Sequence, residues 1–140
     1  MFVGKHQKRL IMDKNKKHIE IGQAGEQIAV AYLRQKGYKI LKTNVRYVWG
    51  EIDIVAKDYN NILVFFEVKS LSQKKQISDP AEKLRPEDNL TKSKLFKLKR
   101  ACLFFANQNP KLVIKGWRID LIALTIEDKD CDIKHFESIV

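Results

Sequence analysis

An α/β sandwich with a mixed central sheet flanked by helices is the fold this sequence predicts, and three observations predict it. Apolar residues recur at helical spacing over 20–36 and again over 90–107, on either side of three consecutive strand-like runs. The third run holds Ile62-Leu63-Val64-Phe65-Phe66, apolar on both faces, as a central strand covered twice must be. After the second helical stretch a near-continuous apolar run returns over 117–126. The order is therefore helix, strand, strand, strand, helix, strand.

Residues 1–18 carry Lys5, Lys8, Arg9, Lys14, Lys16 and Lys17 against Asp13 alone, with only Leu10-Ile11-Met12 as an apolar cluster. They read as a weakly ordered basic arm, either touching phosphates or simply solvated, ahead of a single domain over 19–140. In the first helix Ile21, Ala24, Ile28, Tyr32 and Leu33 form the apolar stripe, and Gly37 is placed to stop it. Gly22, Gly25 and Ala29 make a small-residue strip that lets the backbone approach the sheet. Glu26 lies beside that strip, where composition alone makes it a surface glutamate.

The first strand covers 38–48, with Ile40, Val45 and Tyr47 apolar and Asn44 and Arg46 polar. The next two, 51–57 and 62–70, are separated by Lys57-Asp58-Tyr59-Asn60-Asn61 and read as a β-hairpin. Charges sit where a half-buried strand ordinarily carries apolar side chains. Alternation puts Glu51 and Asp53 on one face, and does the same for Glu67 and Lys69. If facing residue numbers sum to 120, a three-residue loop of Tyr59-Asn60-Asn61 sets Asp53 opposite Glu67. An odd sum would separate the acids, unless a bulge restored the parity. Two carboxylates and a lysine on one face build a poor core. They are well suited to holding a hard divalent cation beside a water molecule.

The polar stretch 70–89, with Pro80 and Pro86, has no sustained periodicity and reads as a flexible loop near a substrate channel. In the second helix Leu95, Leu98, Cys102 and Phe105 form the stripe, while Lys92, Lys94, Lys97, Lys99 and Arg100 crowd the other faces. Such a run is either a solvated face or a phosphate-contacting one. Arg118 and Asp120 share a face of the last strand and read as a structural ion pair. Residues 127–140 form an acidic, mixed tail with no readable role.

A chain of 140 residues with 44% hydrophobic and 31% charged residues is one globular domain rather than a disordered segment. Its 27 Lys and Arg against 17 Asp and Glu give a net charge of +10, which favours a polyanionic partner. No apolar run approaches the ~18 residues of a membrane span, and no signal-peptide pattern is present. A cytoplasmic protein with no membrane partner is expected. Cys102 and Cys131 lie far apart, which points to reduced thiols and away from a structural zinc.

Asp53 with Glu67-Val68-Lys69 resembles the D…(D/E)xK signature of the restriction-endonuclease-like nucleases. More closely, Gly22-Gln23-Ala24-Gly25-Glu26, Gly37-Tyr38, Asn44, Gly50-Glu51-Ile52-Asp53 and Glu67-Val68-Lys69 look like the YraN family, which is similar to archaeal Holliday-junction resolvases. The resemblance implies a restriction-endonuclease-like α-β-β-β-α-β core. It also implies a metal-dependent endonuclease acting on duplex or branched DNA. Asp53 and Glu67 would bind Mg²⁺ or Mn²⁺, and Lys69 would orient water or stabilise charge on the transition state. Glu26 would be an accessory acid, since related nucleases often carry one on the first helix. Glu51 would lie at the open edge of its strand. Lys94 matches a family lysine and, with Lys92, Lys97 and Arg100, would contact phosphates. A resolvase-like homodimer follows from the resemblance alone. The rival from another class is a nucleic-acid-binding protein without cleavage activity.

Overall fold

A computed structural model describes residues 3–11, 21–72, 90–128 and 130–140. Six strands form one sheet in the order β1-β6-β5-β4-β3-β2. They are β1 (Val3–Ile11), β2 (Lys39–Tyr47), β3 (Gly50–Lys57), β4 (Leu63–Ser72), β5 (Trp117–Glu127) and β6 (Asp130–Glu137). Helix α1 (Ile21–Gln35) precedes β2 and α2 (Lys92–Gln108) joins β4 to β5. Only β4 and β5 run parallel, as a helical crossover requires; the other neighbours are antiparallel. The mixed α/β sheet and the α-β-β-β-α-β core expected from the sequence are both present.

Helix α1 ends as its sequence dictates. Gly37 adopts φ of 92°, the Tyr38 N–H donates to the Leu33 carbonyl, and the Gly37 N–H donates to the Arg34 carbonyl. This left-handed cap satisfies carbonyls that the helix itself leaves open. At the start of α2 the Thr91 hydroxyl accepts from the Lys94 N–H at 3.2 Å. Central strand β4 is covered on both faces. Val64 and Phe66 pack with Ala29, Tyr32 and Leu33 of α1, whereas Leu63 and Phe65 pack with Leu98, Cys102 and Phe105 of α2.

The β3–β4 hairpin has the register on which the site depends. Ile54 faces Phe66 and Lys57 faces Leu63, so facing numbers sum to 120. The turn fixes this: Asn61 adopts φ of 64°, and the Asp58 N–H donates to the Ile62 carbonyl. Asp58 Oδ1 accepts from the Asn60 and Ile62 amides at 2.8 and 3.0 Å. A short Asx-type turn with one left-handed residue thus closes a three-residue loop.

Two expectations about the ends of the chain change. Residues 3–11, expected to belong to a weakly ordered arm, form strand β1 paired antiparallel with β6. An edge strand is held largely by backbone hydrogen bonds to its one neighbour, which a polar side-chain pattern does not announce. The rest of the arm, 12–18, and most of the expected loop, 73–89, lie outside the described residues. The acidic, mixed tail with no readable role contains β6, whose Cys131, Ile133 and His135 alternate inward and are buried.

His135 belongs to a buried polar network across β5 and β6. Asp120, with no exposed surface, accepts from Arg118 Nε at 3.1 Å and from the Ser138 N–H at 3.0 Å, and lies 2.8 Å from His135 Nε2. Arg118 also donates to Asp58 Oδ2 and to the Tyr38 hydroxyl, both at 2.9 Å. The Arg118–Asp120 ion pair is therefore part of a clamp that ties β5 to the β3–β4 turn and to the residues following α1. Among the described residues no helix is long and apolar enough to cross a membrane.

Candidate active site

The site lies where β3 and β4 part. Their ladder ends at Ile54 and Phe66, one residue short of Asp53 and Glu67. On β4 the Leu63 N–H turns to Gly116, on the β5 side, so the even-numbered amides point toward β3. Val68 is the first of these beyond the ladder, and its N–H donates to Asp53 Oδ2 at 2.7 Å. A side-chain carboxylate takes the place of the missing strand carbonyl.

Inward and outward alternation slips at the same point. Ile54 and Ala56 pack on the α1 side, whereas Ile52 joins Val55 in the α2-side cluster. The β2–β3 register places Asn44 across from Asp53, and Asn44 adopts φ of 54°, a left-handed conformation that kinks the edge strand. Asp53 is consequently close to Glu67 without being its ladder partner.

Glu26, Glu51, Asp53, Glu67, Val68, Lys69 and Ser70 line one cleft of about 310 Å³. Lys69 Nζ lies 3.1 Å from Glu67 Oε1. Glu26 reaches the cleft because α1 lies close to β4 at this end. A Cβ added to Gly25 would come within 2.0 Å of the Ser70 hydroxyl oxygen and 3.4 Å of a Leu124 methyl. A larger residue there would displace the Ser70 hydroxyl from its position at the cleft. Glu51 is exposed and its carboxylate is 3.7 Å from Arg46 Nε. A groove of about 580 Å³ between α1 and β2, lined in part by Arg34 and Asn44, adjoins the cleft and shares Glu26 with it.

Electrostatically the two central acids are under strain. Burial, the neighbouring Glu67 and, more weakly, Glu26 and Glu51 push the Asp53 carboxyl up to about 7, against the lowering effect of the Val68 N–H. Burial also raises Glu67, while the Lys69 ammonium pulls it back. Asp53 has no cationic partner among the described residues. Such an acid keeps its proton in the fold while the unfolded chain releases it. Stability therefore falls as pH rises from the ordinary value near 3.8 to about 7, and stays lower above that. Asp53→Asn retains an acceptor for Val68 but removes the charge. Thermal melts without added metal should show the variant about 1–3 kcal/mol more stable than the parent at pH 8 and no more stable at pH 4. An equal gain at both pH values would mean that charge is not the cause.

This donor set fits a hard divalent cation. Two carboxylates that repel each other in a partly buried cleft gain from a positive charge between them, and oxygen ligands suit Mg²⁺. Among the described residues no three His, Cys, Asp or Glu side chains gather into a metal-binding group. A cation here would complete its shell with water or substrate oxygens. The basic residues of α2 stand apart from the cleft lining. Lys92, Lys94, Lys97 and Arg100 are exposed, and only the Lys97 turn touches the site's edge, its carbonyl lying 3.2 Å from where a Gly50 Cβ would be. Pattern reading missed the Val68 amide and Ser70. The apolar Val68 gave no hint that its backbone would carry the interaction.

Comparison with known proteins shows the family of the chain. The family described as "Uncharacterised protein family UPF0102" matches residues 25–124. A UPF0102 protein of Thermodesulfovibrio yellowstonii is 38% identical over 120 residues, covering 86% of this chain and 95% of that one. One from Syntrophomonas wolfei is 34% identical over 116 residues, 83% and 93% of the two chains. One from Thermotoga maritima is 41% identical over 115 residues, 81% and 91%. The matched region spans the cleft, both motif strands and the basic helix, and the chain belongs to the UPF0102 (YraN) family.

Proposed function

We propose that the cleft hydrolyses phosphodiester bonds in DNA with the help of Mg²⁺ or Mn²⁺ held by Asp53 and Glu67. The observation that carries this reading is the Asp53–Glu67 pair, two partly buried carboxylates of which, among the described residues, only Glu67 has a cationic partner. When bound, the cation would polarise the scissile phosphate and acidify water beside it. Asp53 is held in place by the Val68 amide and Glu67 by Lys69, so both carboxylates are oriented before substrate arrives. The Lys69 ammonium points into the cleft as a compact charge, able to orient the attacking water and to stabilise charge that develops on the phosphate oxygens. Glu26 and Glu51 line the periphery, where they can hold water in an outer shell.

Binding is assigned to Lys92, Lys94, Lys97 and Arg100 on the exposed face of α2. Log affinity for random-sequence DNA should fall linearly with log salt, with a slope of about −0.9 per phosphate contacted. A Lys94→Ala/Lys97→Ala double variant should flatten that slope by about two. An unchanged slope, measured by fluorescence anisotropy across a salt series, would remove this face from the interface. The test of the whole reading is a cleavage screen against duplex, branched and single-stranded DNA, with and without Mg²⁺ and Mn²⁺. Tight binding without cutting of any substrate would make the protein a binder built on a nuclease-like fold.

A further inference from the structure

The turn between β2 and β3 projects a shaped surface that the cleft chemistry does not use. Tyr47 and Trp49 stack with ring centroids 5.3 Å apart and planes within 6°. Phe104 of α2 meets them edge-on at 5.0 and 5.1 Å. Arg100 lies over the Trp49 ring at 5.4 Å, a cation–π contact that fixes the guanidinium beside the indole. The pedestal holds Val48 at the tip of a two-residue turn, 102% exposed. One helical turn before Arg100, on the same face of α2, Phe96 is 69% exposed. The Trp49 indole N–H is buried beneath this surface and finds no acceptor among the described residues.

Rigid aromatic rings, exposed apolar groups and guanidinium planes are the chemistry that holds unstacked nucleobases. Charge separates this occupant from an apolar protein surface. Lys97 and Arg100 are exposed along this face of the protein, and Glu51, an acid close to the turn among the described residues, is already near Arg46. An apolar partner would have to desolvate those cations, whereas a nucleic-acid strand brings phosphates to them. The turn leads directly into the cleft lining, since Gly50 alone separates Trp49 from Glu51.

We propose that Val48, Phe96 and Arg100, braced by the Tyr47–Trp49 stack beneath them, form a platform that receives unpaired bases of a DNA strand entering the cleft. The preferred substrate is then DNA with an unpaired stretch beside the cut, rather than an uninterrupted duplex. This inference rests on the proposed nuclease reading and names its substrate class.

The experiment uses the full chain carrying Asp53→Asn, without metal, so that binding is read without cutting. Anisotropy compares three probes: a fully paired duplex, the same duplex with a central unpaired stretch, and oligo-dT. Both probes with unpaired bases should bind at least about tenfold tighter than the duplex. Adding Phe96→Ser or Val48→Ser should weaken those two probes about tenfold and leave duplex affinity within about twofold. A fluorescent base analogue in the unpaired stretch should be quenched on binding and lose that quenching with Phe96→Ser. Ile114→Ser, at a position 80% exposed outside the platform, should change none of these readings. Equal affinity for paired and unpaired probes, or equal losses for both, overturns the platform. If duplex is also bound and cut by the wild type, the nuclease reading survives that outcome; if no nucleic acid binds, both fall.

Discussion

Asp53→Asn should lower metal-dependent cleavage by about a hundred- to a thousandfold, and Lys69→Ala should do the same. Each removes one charge from a cleft in which charge is the proposed source of catalysis, and a loss of ~3–4 kcal/mol in transition-state stabilisation corresponds to that range. The two variants separate by their effect on binding. Without metal, Asp53→Asn should bind DNA as well as the parent or more tightly, because a carboxylate that repels phosphate is gone. Lys69→Ala should bind no better than the parent, because the lost charge is attractive. Single-turnover cleavage with anisotropy on the same preparations measures both. Wild-type protein that cuts nothing, with both variants indistinguishable from it, would end the enzyme reading.

The second large effect is on stability and lies away from the cleft. Asp120→Ala should cost about 2–4 kcal/mol in urea unfolding at pH 7, since it removes one of the two carboxylates on Arg118 and leaves the Ser138 amide without its acceptor. Tyr38→Phe removes only one of the hydrogen bonds on Arg118 and should cost about 0.5–1.5 kcal/mol. If the two losses were equal, the network would be acting through packing rather than charge. Folded Asp120→Ala protein should retain cleavage, because Asp120 lies opposite Phe66 on the parallel strand, outside the cleft lining.

The core was legible in the sequence because its signals are local. Helical stripes gave α1 and α2, and the doubly apolar run around Phe65 gave a central strand. Alternation leaves the hairpin register open between two parities, and the turn decides it, with Asn61 in the left-handed conformation. What escaped depends on neighbours. Strand β1 exists because β6 offers it an edge, and His135 reads as polar although Asp120 and the rings around it make it a core residue. The slip at Asp53 cannot be read from alternation, because it is a departure from alternation. Trp49 carried no periodic signal, being a turn residue whose role comes from Tyr47, Arg100 and Phe104.

The fork between β3 and β4 makes position 53 serve two masters. Its carboxylate faces the cleft, and it also supplies the acceptor that the central strand lacks at Val68. A relative that had abandoned chemistry altogether would still be under pressure to keep Asp or Asn there, simply to hold its sheet. Lys69 pairs with Glu67 but completes no strand. On the proposed reading, a change at position 69 would therefore say more about lost cleavage than persistence of an acid at position 53 would say about its retention.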